Sequence, residues 1–426
     1  MDSLVIEGGA RLRGSIRING SKNAALPLMA AALLADGPSV FHGVPNLSDI
    51  THQINLLREL GATAERQADG SLRVEVTDPK NVHARYDLVR KMRASICVLG
   101  PLLAKRKIAR VSMPGGCAIG DRPVDIHLRG LVALGAQVEL EGGDIIVKAD
   151  RLKGAEIFLG GNFGSTVLGT ANVMSAATLA QGTTMIECAA CEPEIVDLAD
   201  YLNKMGAKIT GAGTPRILIE GVESLHGAEH KVIPDRIEAG TFMAAAAITN
   251  GEIHLDNVRL DHLMAVIDKF RTVGVIVEKE NGGCTVASAR RLDATAITTQ
   301  PHPGFPTDLQ AQFMALLAIA DGNSIITEKI YPDRFLHVAE LSRLGANLHK
   351  EGSTVIVQGV KRLVGAPVMA SDLRASAALV IAGLVAKGTT TVNRVYHIDR
   401  GYERIEQRLN TLGARIQRVD QKELEL

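Results

Sequence analysis

Cys117 stands in the stretch SMPGGCAIGDRPVD, residues 112–125, among Gly115, Gly116 and Gly120 and just ahead of Arg122. A structural cysteine belongs in a packed apolar run, as Cys97 does in ASICVLG. A cysteine in a glycine-rich loop beside an arginine and a helix start is different, because both neighbours favour the thiolate and make the sulfur reactive. Pliable loops of this kind often cover ligands. Cations placed where cations are disfavoured form a second set. Lys22 in SKNAALP, Arg93 in RKMRAS and Arg374 in SDLRASAAL each fall at a predicted helix start, where the macrodipole is positive. A cation there is explained if it and the backbone N–H groups face a bound anion. The same theme recurs at Arg122-Pro123, Asp333-Arg334 and Asp399-Arg400, each read as opening a second helix. Converging helix starts of this sort predict a polyanionic ligand.

These residues have to be held by repeated elements. The pattern apolar-Gly after an amphipathic stretch occurs six times, with glycines at 61, 135, 206, 274, 345 and 413, a period of about 70 residues. Glycine directly after a helical pattern is the expected left-handed C′ residue. Alternating strands with hairpin turns follow, at Asp69-Gly70, Gly142-Gly143, Gly211-Ala212-Gly213, Asn281-Gly282-Gly283 and Glu351-Gly352. A second glycine series, at 37, 182, 251, 322 and 388, separates an Ala-rich helix from a strand. The sequence therefore predicts an α/β protein of six βαβαββ-type units. The sixth copy runs out near the C-terminus, and SLVIEGGARLRG has the form of its missing strand. Two three-unit domains follow: residues 22–233, and residues 1–21 joined to 234–426. Three units must share each core, because one cannot bury its apolar faces alone.

Composition narrows the function. Acidic and basic residues balance at 47 each, tryptophan is absent and aromatics make up 3%. That argues against a nucleic-acid partner, which calls for a basic face or stacking platform. No apolar run is long enough to span a membrane, and the N-terminus carries no signal pattern, so the expectation is a reduced, cytoplasmic protein without a membrane partner. Five scattered cysteines form no disulfide framework. Cys188 and Cys191 make a C-x-x-C with no second pair or nearby histidine, more in keeping with a strand-to-helix connection than with zinc or redox chemistry. No dinucleotide fingerprint or P-loop is present, so neither metal nor organic cofactor is expected. His127, one turn beyond Arg122, either touches the ligand or packs. His302 in QPHPGFPTD shapes the loop before Asp308.

The motifs SKNAALP, RKMRAS, PGGCAIGDRPVD, IPDRIEAGTF, PHPGFPTDLQAQF, SDLRASAAL and YHIDRGYERIE together resemble the UDP-N-acetylglucosamine 1-carboxyvinyltransferase family, enolpyruvyl transferases of the first committed step of peptidoglycan synthesis. The likeness spans nearly the whole chain. It implies two inside-out α/β barrel domains and a reaction between phosphoenolpyruvate and UDP-N-acetylglucosamine. It also implies roles for single residues. Lys22, Asn23, Arg122 and Arg400 correspond to phosphoenolpyruvate contacts. Arg93 and the run Arg122, Pro123, Val124, Asp125 and Ile126 correspond to the sugar-nucleotide site, with Ile330 as a backbone contact to the nucleotide. Cys117 corresponds to the proton donor that also forms an adduct with phosphoenolpyruvate, and Asp308 to the residue on the sugar 3′-hydroxyl and its natural base. Arg334, Asp372 and Arg374 correspond to active-site residues of the second domain. The catalytic set is thus Cys117, Asp308, Lys22 and Arg400, drawn from both domains, which must close on each other to complete it.

Two places depart from the family pattern. GGNFGSTVLGTAN replaces a shorter diphosphate loop, and Gly164, Ser165 and Thr166 fall by the repeat at the helix start that phosphate oxygens would meet. Pro332 stands where relatives can carry an acidic residue. The nearest rival is the 3-phosphoshikimate transferase of the same fold, against which the cysteine loop discriminates. A silent paralogue that only binds the sugar nucleotide would not need Lys22, Cys117, Asp308 and Arg400 together.

Overall fold

All six C′ glycines, from Gly61 to Gly413, hold φ between 81° and 105°. This left-handed turn ends each amphipathic helix and aims the chain into the following strand. The second series behaves alike at Gly37, Gly182, Gly322 and Gly388, but the left-handed residue is Asn250 rather than Gly251 in one unit and Lys107 in another. Asparagine visits this conformation at small cost. Lysine has no such advantage and marks the repeat least visible in the sequence.

The computed structural model describes residues 2–114 and 124–420; Cys117, Arg122 and Pro123 lie outside the described residues. The chain divides into two units, residues 20–114 with 124–233, and residues 2–19 with 234–420. Each contains three four-stranded sheets of one plan, in which a central strand and two further strands, joined as a hairpin in five of the six sheets, pair antiparallel and a short edge strand pairs parallel. In one unit the central strands are Ser39–His42, Ile108–Ser112 and Thr183–Glu187. The edge strand Glu229–Lys231, from the end of that unit, pairs with the first of them. In the other unit Asp2–Glu7 lies between Thr389–Asn393 and Ile416–Asp420 and pairs antiparallel with both. The first and last described strands of the chain therefore share a sheet.

Each unit has its own core, one built from residues 24–232 and one from residues 4–18 and 237–416. At the centre of each lie Ala-rich helices that are buried on nearly every side. They include Lys22–Ala31 and Val167–Ala177 in one unit, and Arg236–Ile248, Gln310–Leu317 and Leu373–Gly383 in the other. A helix apolar on all faces must be interior, and small side chains let such helices approach closely. The second helices keep an exposed face: Ser48–Glu59 buries one stripe, and Pro193–Lys204 leaves a narrow stripe through Asp200, Asn203 and Lys204 exposed. Among the described residues, no helix is long and apolar enough to cross a membrane.

Candidate active site

Lys22 opens helix Lys22–Ala31, where Ser21 caps the N–H of Ala24 at 3.3 Å. The lysine is buried, and its Nζ lies 2.9 Å from Oδ2 of Asp49, which is itself fully buried in the first turn of helix Ser48–Glu59. A buried ammonium at a helix start thus has a carboxylate beside it, and a bound anion is not required to explain its position. Sequence reasoning missed Asp49. In LSDITHQ it reads as an ordinary first-turn acid, and nothing local reveals a partner 27 residues away. Asn23 is half-buried in the same first turn, and half-buried Arg93 begins the 3-10 helix Arg93–Val98.

Further along the same unit, Gly160–Gly161 and Gly164–Ser165 form a two-stranded hairpin, and Thr166 caps the N–H of Gly169 at the start of the next helix. Arg129 donates to the Gly160 carbonyl at 2.7 Å, while Ile126 lies where a Cβ on Gly161 would sit. The structure therefore brings Asp125–Ala133, with Asp125 and Ile126 in its first turn and Val124 as its N-cap, against the Gly164–Thr166 hairpin. His127 faces helix Val167–Ala177. It is buried, and its Nδ1 accepts from the Asn172 amide at 3.0 Å, which also donates to Ile96 O and accepts from Gly100 N–H.

The other unit holds a denser network. Asp308 sits in the 3-10 helix Thr307–Leu309, which follows a loop containing the cis His302–Pro303 bond. Its Oδ1 accepts from Arg334 at 2.8 Å and its Oδ2 from Arg374 at 3.0 Å. Both guanidiniums are almost fully buried, whereas 26% of the aspartate side chain stays accessible. Burial works against its charged form, but Arg374 and then Arg334 overcome this and hold the carboxyl far below the usual carboxylate range. Arg374 also donates to Tyr402 Oη at 3.1 Å, and Gln312 Nε2 bonds both that oxygen and the Asp308 carbonyl. Asp372 caps helix Leu373–Gly383 by accepting from the N–H groups of Arg374 and Ala375 at 2.9 and 3.1 Å. Ile330 N–H is held by Glu328 at 2.8 Å.

Two expected helix starts differ. Arg334 lies in the turn before helix Leu336–Arg343, and Arg400 ends the 3-10 helix Val395–Arg400, with helix Ile405–Thr411 starting only after Gly401 and a left-handed Arg404. Arg400 therefore does not stand in the first turn of a helix. Tyr402, Gln312 and Glu328 carried no signal in the sequence, because their partners are distant along the chain.

The thiols among the described residues contrast with the expectation for Cys117. Burial pushes Cys97 up to about 12 and Cys284 to about 11, and raises Cys191 as well. Cys188 adopts φ 56° directly after strand Thr183–Glu187, which makes it a turn residue of the repeat. No group of His, Cys, Asp and Glu able to hold a metal occurs among the described residues.

The profile of the family described as EPSP synthase (3-phosphoshikimate 1-carboxyvinyltransferase) matches residues 6–409. A UDP-N-acetylglucosamine 1-carboxyvinyltransferase of Methylacidiphilum infernorum is 53% identical over 424 residues, covering 99% of this chain and 100% of its own. One of the same name from Trichlorobacter lovleyi is 54% identical over 423 residues, with the same coverage. Among solved structures, the enolpyruvyl transferase NikO from Streptomyces tendae superposes with a TM-score of 0.89 at 25% identity, covering 98% of this chain and 99% of its own.

Proposed function

The chain belongs to the UDP-N-acetylglucosamine 1-carboxyvinyltransferase family of enolpyruvyl transferases, and from that premise we infer that it transfers the enolpyruvyl group of phosphoenolpyruvate to the 3′-hydroxyl of UDP-N-acetylglucosamine. The observation that carries this reading is identity above one half through 99% of the chain. The reaction is an addition followed by an elimination. In the addition the hydroxyl gives its proton to a base as its oxygen bonds to C2 of phosphoenolpyruvate, and C3 takes a proton from an acid; in the elimination one C3 proton returns to a base as the bond from C2 to the phosphate oxygen breaks, restoring the double bond and releasing phosphate.

Asp308 is assigned to the 3′-hydroxyl. Arg334 and Arg374 keep it ionised, so an acceptor oxygen is available whenever the hydroxyl arrives. The same pair makes it a weak resting base, so proton transfer to it must accompany C–O bond formation rather than precede it. Lys22, Asn23, Arg122 and Arg400 are assigned to the phosphate and carboxylate of phosphoenolpyruvate, where fixed cations stabilise developing charge. Arg93, Arg122, Pro123, Val124, Asp125, Ile126, Gly164, Ser165, Thr166 and Ile330 are assigned to the sugar nucleotide, with Asp372 and Arg374 beside the reacting hydroxyl. Contact between Ile126 and the 160–165 hairpin supports grouping them. Cys117 is assigned as the donor to C3, and its adduct with phosphoenolpyruvate follows from the same placement.

Each three-sheet unit is assigned the inside-out α/β barrel form, supported by its three repeats of one sheet plan around buried helices. Both substrates are highly charged and do not cross a membrane unaided, which supports a cytoplasmic location and a role in peptidoglycan synthesis, and through it in cell shape and division.

Phosphate release is the deciding measurement. It is expected with phosphoenolpyruvate plus UDP-N-acetylglucosamine and not with 3-phosphoshikimate, and Cys117→Ser is expected to lower turnover at least ~100-fold while sugar-nucleotide affinity holds. Release with the shikimate acceptor alone, or full activity of the serine variant, would overturn the assignment.

A further inference from the structure

Glu328 is completely buried, yet among the described residues no lysine, arginine or histidine forms an ion pair with it. Its charge is met by hydrogen bonds instead. Oε1 accepts from Thr299 Oγ1 at 2.7 Å, Ile330 N–H at 2.8 Å and Tyr331 N–H at 3.0 Å, and Oε2 accepts from Thr307 Oγ1 at 2.9 Å. Burying a carboxylate is costly unless its lone pairs are filled in this way.

The repeat shows that the fold does not need this acid. The residue directly after the central strand occurs six times, as Gly43, Met113, Cys188, Asn257, Glu328 and Arg394. Four of them, Gly43, Cys188, Asn257 and Arg394, hold a positive φ, between 56° and 74°. The position thus serves as a left-handed exit from the strand. Only at Glu328 is it a buried carboxylate, and there the backbone abandons the left-handed form. What distinguishes this unit is what the carboxylate connects. Thr307 precedes Asp308 and, besides donating to Glu328, accepts from Arg334 at 3.0 Å. Arg334 in turn bonds Asp308. On the other oxygen hang the N–H groups of the 330–331 turn.

We propose that Glu328 is a positioning residue, which sets the Thr307–Asp308 segment and the Ile330–Tyr331 turn at a fixed spacing so that the acceptor sugar nucleotide is held at both. The inference rests on the function proposed above. It orders the roles in a definite way: Asp308 meets the hydroxyl, the Ile330 backbone meets the nucleotide, and one buried carboxylate holds the two in register. A carboxylate suits the task because it only accepts, so the donor direction of all its bonds is fixed. Glutamine in its place keeps one accepting oxygen but turns a donor toward Thr307, so the threonine hydroxyl loses the acceptor for its own proton.

The experiment compares wild type, Glu328→Gln, Thr307→Val and Thr307→Ser by steady-state kinetics in each substrate, by calorimetric titration with UDP-N-acetylglucosamine and by thermal melting. Glu328→Gln is expected to weaken sugar-nucleotide binding about tenfold and to raise its KM in parallel, with the KM for phosphoenolpyruvate moving less than about twofold. Thr307→Val is expected to lower kcat/KM for the sugar nucleotide alone, and Thr307→Ser, which keeps the hydroxyl, to recover most of that loss. If Glu328→Gln does not fold, the two Thr307 variants carry the same test. Equal effects on both substrates, a lowered melting temperature with unchanged kinetics, or a serine variant as impaired as valine would overturn the inference while leaving the proposed function standing. A wild-type protein that neither binds UDP-N-acetylglucosamine nor releases phosphate with it would overturn both.

Discussion

In the unit of residues 20–233 the first buried helix begins with a cation, Lys22, whose counter-charge is Asp49 at the start of the next helix. In the unit of residues 234–420 the helix Gln310–Leu317 is preceded by a carboxylate, Asp308, shared between Arg334 and Arg374. The lysine–aspartate pair is neutral as a whole, whereas the aspartate–arginine set carries one net positive charge. The chemistry of the cations differs as well. An ammonium is a compact charge on a flexible stem and can re-aim, while guanidinium forks fix geometry and cannot lose their proton. Each Asp308 oxygen is held by a separate fork, and the forks are braced in turn by Thr307 and Tyr402. One unit therefore offers a charge that a ligand can redirect, and the other an acceptor locked in place. A cation at a helix start is by itself an ambiguous sign of ligand binding, because a neighbouring helix can supply the anion.

The contrast is open to direct attack. Asp308→Ala should have the largest effect: it leaves two buried guanidiniums facing each other, and unfolding experiments in urea should show a loss of about 3 kcal/mol, with activity reduced by at least ~1000-fold. A loss below about 1 kcal/mol would mean that the arginines find other partners and that the acceptor is not locked. Next, Asp49→Asn should cost about 2–3 kcal/mol, and adding Lys22→Met should restore part of it, since the buried charge goes with its partner. If the double variant is less stable than Asp49→Asn alone, the pair does not behave as a simple ion pair.

Acid titration gives the smallest effect and separates two groups of the 234–420 unit by the pH at which each contribution is lost. His337, buried near Asp372 and Arg334, is pushed down to about 4, first by burial, with Asp372 opposing the effect and Arg334 adding to it. Its folded form stays neutral while the unfolded chain takes up a proton below 6.5. Stability is thus fully present above pH 6.5 and is lost as pH falls toward 4. Asp308 is lowered as well, so its contribution persists above its unfolded value of 3.8 and disappears only in stronger acid. His337→Gln should flatten the profile between pH 6.5 and 4. An unchanged slope would assign that loss to other histidines.

The repeat was legible in the sequence because it rests on local backbone demands. A helix that must turn sharply into a strand needs a left-handed residue, and glycine accepts it, so Gly61 through Gly413 announce six units before any fold is known. Where other residues take that role, as Lys107 and Asn250 do, the pattern fades. Helix caps were legible for the same reason: Ser21, Thr166, Asp235 and Asp372 bond N–H groups two or three residues away. The likeness of SKNAALP, SDLRASAAL and YHIDRGYERIE to a known family added roles that no local rule supplies.

Which of those residues answer to one another is another matter. By itself the sequence determined the helices, the hairpins, the six-unit period and the residue types offered at each helix start, since all of these follow from backbone sterics and hydrogen bonds between near neighbours. Only the tertiary structure decided that Lys22 meets Asp49, that Asp308 lies between Arg334 and Arg374, and that Glu328 joins Thr307 to the 330–331 turn. Each of these contacts depends on how separate elements pack, and the strength of a charge or hydrogen bond is set by the few ångströms and the burial that packing imposes.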